Sequence, residues 1–369
     1  MNDLLPHPIR AYNSSICGSF DEATHTYTDC YGTLYKSVSA IVKSFFPFPR
    51  DIKVDPQKSK LACEWGTYIH LLCEKFILER ELNPTQKVTY ATLFEYLSHR
   101  RHEIIGSEVR LFHPELGIAG TCDLLLNIDG RIVIGDFKTN KSLHYHNGFC
   151  SHPLSDIDNS TLNGYYYQMS VYAWILRESY GIIADEVEIW WIKPETYEII
   201  VYKSPVMWDW VSKSLPYFCL QPILIDTREQ TPIPFDIPTE VTKLDEGDYS
   251  TSYLSDKFVI ERKSPSDFYG SLIQGHERFR AEILRAQGKG KEIEIWIECP
   301  KKTFISKSWG GKSYHLKTPP KTLAKIVQTF SERYLVHIEW CENRFDMRDK
   351  MLDKLVERTQ HYKSLEKDL

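Results

Sequence analysis

Residues 257–267 read KFVIERKSPSD. Phe258, Val259 and Ile260 make an apolar run of strand length, and it opens directly onto Glu261, Arg262, Lys263 and then Asp267. Packing gives no reason for that ending, since charged side chains are rarely buried unless paired. The same shape occurs upstream in RIVIGDFKTNK, residues 131–141, where Ile132–Ile134 leads into Asp136 and Lys138. In both runs an acid and a lysine stand two residues apart and so share one face of a strand. Arg262 points to the other face and suits a structural ion pair with a carboxylate of its own domain.

At 369 residues the chain is about twice the usual domain size, so two domains are expected. The boundary is placed near residue 221, where ILIDTRE begins a new strand, giving domains 1–220 and 221–369. Hydrophobic residues at 42% and aromatic residues at 13% exclude a disordered chain. There is no run near the ~20 apolar residues that span a bilayer, and MNDLLPHPIRAYNSS lacks the apolar region of a secretory signal. A cytoplasmic protein with no membrane partner is expected. The nine cysteines are scattered singly with no CxxC pair, so reduced buried thiols are expected rather than zinc or iron–sulfur ligation. A net charge of -5 argues against a nucleic-acid partner, unless carboxylates hold divalent cations that reverse the local sign.

Hydrophobic spacing predicts a helix over KLACEWGTYIHLLCEKFILERE with Leu61, Trp65, Ile69, Leu72 and Phe76 on one face, and His70 and Glu74 one turn apart. A helix over TYATLFEYLSHRRHEII, a strand at GSEVRLFH and a hairpin turning at Asp129-Gly130 follow. Next come a polar loop, a helix over YYYQMSVYAWILRESYG and the hairpin VEIWWIK/YEIIVYK. Beyond 221 strands alternate with helices: ILIDTRE, a strand around Gly247, KFVIERK, the helix SLIQGHERFRAEILRAQ, EIEIWIEC, a basic loop, the helix KTLAKIVQTFSERY, VHIEW and a terminal helix. The expected class is α/β, each domain a mixed central sheet flanked by helices. No GxxxxGK[ST] loop supports nucleotide hydrolysis.

Glu108, Asp123, Asp136 and Lys138, with His70 before and Gln168 after, form one charged constellation. The interval from Asp123 to Asp136 is 13 residues (136 − 123), as adjacent strands of one hairpin would give. Hard oxygen ligands at a strand end suit Mg2+ or Mn2+, and a nearby lysine can serve the attacking water. A DxK strand end alone is more often a solvated turn; the ordered set around it favours chemistry. GTYIH with His70, SEVRLF with Glu108, GTCDLLL with Asp123, GDFKT with Asp136 and Lys138, and YYYQMSVYAWI with Gln168 and Tyr172 resemble the RecB-type exonuclease branch of the PD-(D/E)XK nuclease superfamily, across roughly residues 20 to 205. The resemblance implies a restriction-endonuclease-like domain. In it Glu108, Asp123 and Asp136 hold the metal, His70 supports them, and Asp136 and Lys138 are catalytic; Gln168 and Tyr172 position the DNA backbone. Some relatives carry four cysteines for an iron–sulfur cluster, a pattern this sequence lacks.

The second constellation is Asp226, Arg228 and Glu229 in LIDTRE, Gly247-Asp248 in DEGDYS, and Glu261, Arg262, Lys263 and Asp267. Asp248 and Glu261 are again 13 residues apart (261 − 248). This half resembles the nuclease domain of the XPF family, with its signature GDx(n)ERKx3D, from about 221 to 355. The resemblance implies a second restriction-endonuclease-like domain with Asp226, Asp248 and Glu261 as metal ligands, Glu261 and Lys263 catalytic, and Arg228, Glu229, Arg262, Asp267 and Arg278 in support. Family members usually append DNA-gripping helix–hairpin–helix modules, and XPF-like domains often pair, so a homodimer or a partner protein through this domain is implied. KKTFISKSWGGKSYHLKTPPK interleaves lysines with Trp309 and Tyr314 and is the local candidate for DNA contact through Lys307, Trp309 and Lys312, a solvated flexible loop being the other reading.

Together these readings describe a metal-dependent deoxyribonuclease using Mg2+ or Mn2+, with exonuclease and structure-selective endonuclease sites, for phage or bacterial DNA processing, recombination or repair. The rivals are one catalytic domain with a binding scaffold, a non-catalytic adaptor, and RNA cleavage.

Overall fold

The computed structural model describes residues 6–21, 24, 26–47, 55–220, 222–310 and 317–367. The chain divides into two compact units, Met1–Leu215 and Pro216–Leu369. Each is a mixed sheet flanked by helices.

In the first unit, helix α1 (Pro56–Ile77) starts at Asp55, whose carboxylate accepts the N–H groups of Gln57 and Lys58, with Pro56 opening the first turn. It buries Ile69, Leu72, Cys73 and Ile77. Leu61, expected on that face, is 65% exposed, because the helix meets the core only from its second half. Strands β1 (Ile104–His113), β2 (Ile118–Ile128) and β3 (Arg131–Lys138) form antiparallel pairs, β2 lying between the other two. The β2–β3 turn places Asp129 at φ 51° and Gly130 at φ 85°, the left-handed pair of a tight hairpin. A two-stranded ribbon, His146–Phe149 with Asp158–Ser160, lies where a polar loop was expected. Helix α2 (Thr161–Tyr180) is capped by Ser160 and ends at left-handed Gly181. β4 (Glu186–Ile192) then pairs parallel to β3 and antiparallel to β5 (Ile199–Pro205). The sheet has eight strands, completed by three short strands between Ser19 and Ser37.

The second unit has a six-stranded sheet. β6 (Ile223–Asp226) lies between β7 (Thr239–Thr242) and β8 (Tyr249–Thr251); β9 (Phe258–Lys263) runs antiparallel to β8 and parallel to β10 (Glu292–Ile297), which runs parallel to β11 (His337–Trp340). The single helix expected after β9 is two helices, α3 (Pro265–Ile273) and α4 (His276–Gly288), interrupted at Gln274-Gly275. The basic loop contains a short helix, α5 (Lys301–Ile305), ahead of α6 (Pro320–Tyr334), and α7 (Arg344–Lys367) ends the chain. Strand alternation sorts the core onto two faces. Val259, Ile295 and Ile297 pack with Phe268, Phe279, Val327 and Phe330 of α3, α4 and α6. Phe258, Ile260 and Trp296 pack with Met347, Met351 and Leu355 of α7.

Among the described residues no helix is long and apolar enough to cross a membrane. Five cysteines are buried, but Cys17, Cys30 and Cys63 are exposed, contrary to the expectation of buried thiols: they lie on or beside surface elements rather than in the core.

Candidate active sites at two strand ends

The two units carry the same three-strand core. In the first, the β2–β3 ladder reaches Leu124↔Gly135, one step short of Asp123 and Asp136. In the second, β8 and β9 pair at Tyr249↔Ile260, one step short of Asp248 and Glu261. At that step a side chain ties the strands, joined in the second unit by a backbone bond from Asp248 N–H to the Ile260 carbonyl at 2.8 Å. Phe137 N–H donates to Asp123 Oδ2 at 2.8 Å, and Arg262 N–H donates to Asp248 Oδ2 at 2.9 Å. The next strand is parallel in both, with Asp136↔Ile189 and Phe137↔Trp190 in one, Glu261↔Ile295 and Arg262↔Trp296 in the other. Each of those strands has a Glu-x-Trp in which the indole N–H meets the buried glutamate: Trp190 to Glu188 at 2.8 Å, Trp296 to Glu294 at 3.1 Å.

At each strand end the lysine folds back on its acid. Lys138 Nζ pairs with Asp136 and lies 4.4 Å from the centre of the Tyr165 ring. Lys263 Nζ sits 2.5 Å from Glu261 Oε1 and 5.1 Å from the Phe279 ring centre. Burial opposes both ammonium charges, but the paired carboxylates outweigh it and raise both lysines. Burial pushes Asp136 up to about 6 against the pull of Lys138. Burial and then the Asp248 charge push Glu261 up to about 8, and burial lifts Asp248 to about 6.

The first unit adds two groups. His70 Nδ1 on α1 lies 3.3 Å from Asp123 Oδ2. Glu108 stands between the pairs Ser107↔Leu124 and Val109↔Cys122, opposite Asp123, with φ at 50°. A non-glycine residue in that region carries about 1–3 kcal/mol of strain, which the surrounding structure must hold in place. His70, Glu108 and Asp123 each offer a ligand atom, all within 4.8 Å of one another. Burial opposes the His70 imidazolium, yet the Asp123 carboxylate outweighs it and raises His70 to about 9. Burial and then the Asp123 charge raise Glu108 to about 8. One imidazole among carboxylates is a donor set that fits Mn2+ as well as Mg2+. Gln168 Nε2 donates to Tyr172 Oη at 3.2 Å. Tyr172, which the resemblance implied would position the DNA backbone, is 3% exposed, braces Gln168 and packs so close to Gly120 that a Cβ there would lie 2.6 Å from its ring.

The second unit assigns its acids differently. Asp226, expected as a metal ligand, is fully buried with both oxygens engaged. Oδ1 accepts Arg228 N–H at 2.9 Å and Arg228 Nε at 2.5 Å, and Oδ2 accepts Leu244 N–H at 2.7 Å. Burial opposes its charge, but the hydrogen bonds from Arg228 and the Leu244 N–H, with the Arg228 charge, together outweigh it and hold Asp226 below the usual carboxylate range. Arg262 points away from Glu261 into a structural ion-pair set, 3.0 Å from Glu229 Oε2 and 3.0 Å from Glu298 Oε2, so Glu229 supports through Arg262. Asp267 closes the start of α3: its N–H donates to Ser264 Oγ and Ser264 Oγ donates back to Oδ2 at 2.6 Å. Gly247 sits at φ 74°, and a Cβ on it would lie 2.8 Å from Val259 Cβ, which explains the glycine beside Asp248. Sequence reading missed Glu282. On α4, one turn past Phe279, its charge acts on Asp248, Glu261, Lys263 and Arg228. Arg278, one turn before it, is exposed. Its signal was an acid spaced i, i+4 from that arginine.

The expected DNA-contact residues are placed otherwise. Trp309 is 5% exposed, stacks on Phe304 with ring centres 5.6 Å apart and donates to Ser266 Oγ at 3.1 Å; it is core and offers no face to a base. Lys307 donates to the Thr318 carbonyl at 3.3 Å, which ties it to the fold. Lys312 lies outside the described residues.

Comparison with known proteins bears on the second unit. No curated protein matches the chain. Among solved structures it is similar to XPF from Aeropyrum pernix in complex with DNA, at 19% identity and TM-score 0.30, covering 38% of this chain and 64% of that one. It is also similar to XPF from Aeropyrum pernix, at 20% identity and TM-score 0.30, covering 37% of this chain and 60% of that one. The chain thus spans about three fifths of the length of those structures. Residues 225–349 match the ERCC4 domain family, and that segment contains the Asp248, Glu261 and Lys263 strand end.

Proposed function

We propose that the chain is a metal-dependent DNA nuclease with one active site in each unit. Residues 1–220 would form a RecB-like exonuclease domain that trims ends, and residues 221–369 an XPF-like domain that cuts at a junction or flap, in phage or bacterial DNA processing, recombination or repair. The observation that carries this reading is the repeated strand end. In both units an acid–lysine pair leaves the sheet beside a second carboxylate that grips the intervening N–H.

His70, Glu108, Asp123 and Asp136 would hold Mg2+ or Mn2+ in the first site; Asp248, Glu261 and Glu282 would do so in the second. Such an ion, when bound, supplies a Lewis acid for the phosphate and lowers the pKa of a coordinated water. Lys138 and Lys263, each kept charged by its acid, orient the attacking oxygen and stabilise charge on the scissile phosphate. Asp123 and Asp248 fix the strand ends through their backbone bonds, and Gln168 positions the DNA backbone in the first site. Removing one preorganised charge-stabilising group costs about 10²–10³ in rate. Asp136→Ala, Glu261→Ala and the double variant are therefore assayed with Mg2+ and with Mn2+ on linear duplex, single-stranded, flap and closed circular DNA. Each single variant should lose one class of cutting and the double variant all of it. Wild type that cuts none of these contradicts the reading.

A second reading, in which the first unit alone cuts and the other is a DNA- or partner-binding scaffold, is favoured by one observation. Among the described residues only the His70, Glu108 and Asp123 group brings three ligand atoms within 4.8 Å. Loss of every activity in Asp136→Ala alone would select it.

A further inference from the structure

From Cys299 to Ser331 the sequence holds seven lysines and no Asp or Glu, in a chain whose net charge is -5, so the rest of the chain stands at -12. Lys301 and Lys302 on α5, Lys317 before α6, and Lys321 and Lys325 on α6 are all exposed, and none is paired with a carboxylate among the described residues. Several other cations of this unit are neutralised locally, Lys289 and Lys291 by Glu246, Arg344 by Glu298 and Arg348 by Asp236, whereas these five stand together without a carboxylate among the described residues. Five exposed, unpaired ammonium groups on adjoining elements are a surface awaiting a polyanion.

The segment is also fixed to the strand end. Trp309 Nε1 bonds Ser266 Oγ at 3.1 Å, and Thr318 Oγ1 bonds Tyr269 Oη at 2.9 Å. Both partners lie on α3, which begins two residues after Lys263. Lys301, Lys302 and Pro320 line one open recess, so α5 and the start of α6 present their lysines together.

We infer that Lys301, Lys302, Lys317, Lys321 and Lys325 form a binding surface for the DNA phosphate backbone that leads the strand toward Glu261 and Lys263. The inference rests on the nuclease reading above. The surface engages phosphates, so binding through it is independent of base sequence and strongly dependent on salt.

The test measures binding of fluorescent duplex and flap DNA by the full chain in EDTA, carrying Asp136→Ala and Glu261→Ala so that cutting plays no part. Anisotropy is followed across a salt series. Lys317→Gln/Lys321→Gln/Lys325→Gln and Lys301→Gln/Lys302→Gln are compared with Lys58→Gln/Lys60→Gln in the first unit. Each phosphate left without its lysine lowers the log–log salt slope by about 0.9 on duplex. The triple variant should therefore flatten the slope by about 2 to 3 and weaken binding at 0.1 M salt by about tenfold or more, while the control pair changes neither. Unchanged slope and affinity in both lysine variants, or no binding by the parent chain, overturns the surface. Equal competition by polyglutamate at matched charge overturns it in favour of an acidic protein, and preference for RNA of the same sequence overturns the assignment to DNA. If a multiple variant melts early, the single Lys317→Gln and Lys325→Gln proteins decide, each expected to lower the slope by about 0.9. Failure here with cutting intact removes the surface only; cutting that fails while binding persists removes the nuclease reading only.

Discussion

The strand pair that joins Asp123 to Asp136 and the pair that joins Asp248 to Glu261 are alike in register, in the N–H grip of the second carboxylate and in the Glu-x-Trp of the neighbouring parallel strand. Their surroundings diverge. In the first unit α1 and β1 bring His70 and Glu108 against Asp123, at the expense of a left-handed Glu108. In the second, the acid on the neighbouring strand, Asp226, is committed to Arg228 and the Leu244 N–H, and the further carboxylate charge felt by Glu261 is on a helix, at Glu282. The family match falls on the second unit, while the tighter ligand set lies in the first. A shared strand end therefore specifies where an acid and a lysine emerge, and the elements around it decide how many ligands meet there.

The common part of the comparison should show the largest effect. Trp190 and Trp296 are fully buried, so Trp190→Ala and Trp296→Ala should each destabilise their own unit by about 3–5 kcal/mol. Calorimetry that finds one of them neutral would break the equivalence of the two cores. Asp226→Ala sharpens the divergent part. It leaves the buried Leu244 N–H without an acceptor, a loss of about 1–3 kcal/mol, and should leave ion binding by the second unit in place. An Asp226→Ala protein of normal stability that has lost an ion would make Asp226 a ligand after all.

The smallest expected effect concerns pH. Glu108 and Glu261 hold their protons up to about 8 in the folded chain, whereas the unfolded chain releases them near the ordinary glutamate value. Between those values the unfolded state binds fewer protons, so in EDTA stability falls as pH rises toward 8. Glu108→Gln and Glu261→Gln should each flatten the decline of melting temperature between pH 6 and 8.

Both strand ends were legible in the sequence because charge directly after an apolar run has few structural explanations, and the 13-residue interval marks a hairpin. The mixed sheets and the Asp129-Gly130 turn followed from alternation and turn chemistry. Asp226 reads as a ligand in the sequence because an acid in an IDTRE strand end carries no sign that the distant Leu244 N–H will bond it. Trp309 looked like a stacking residue because lysines surround it, yet its indole is drawn into the core by Phe304 and Ser266. Glu282 was hidden in an amphipathic pattern, where an acid beside Phe279 and Ile283 reads as the solvated edge of a helix. In each case one of the deciding partners is distant in sequence, Leu244 for Asp226, Ser266 for Trp309 and Glu261 for Glu282, and local periodicity does not encode it.

Each unit is proposed to hold its own ion. Mn2+ binding measured by calorimetry and electron paramagnetic resonance on wild type, Asp123→Asn and Glu261→Gln tests it without relying on activity. Two classes of bound Mn2+ are expected, with Asp123→Asn removing the class held with His70 and Glu108, and Glu261→Gln removing only the other. A single class abolished by Asp123→Asn and untouched by Glu261→Gln would contradict it.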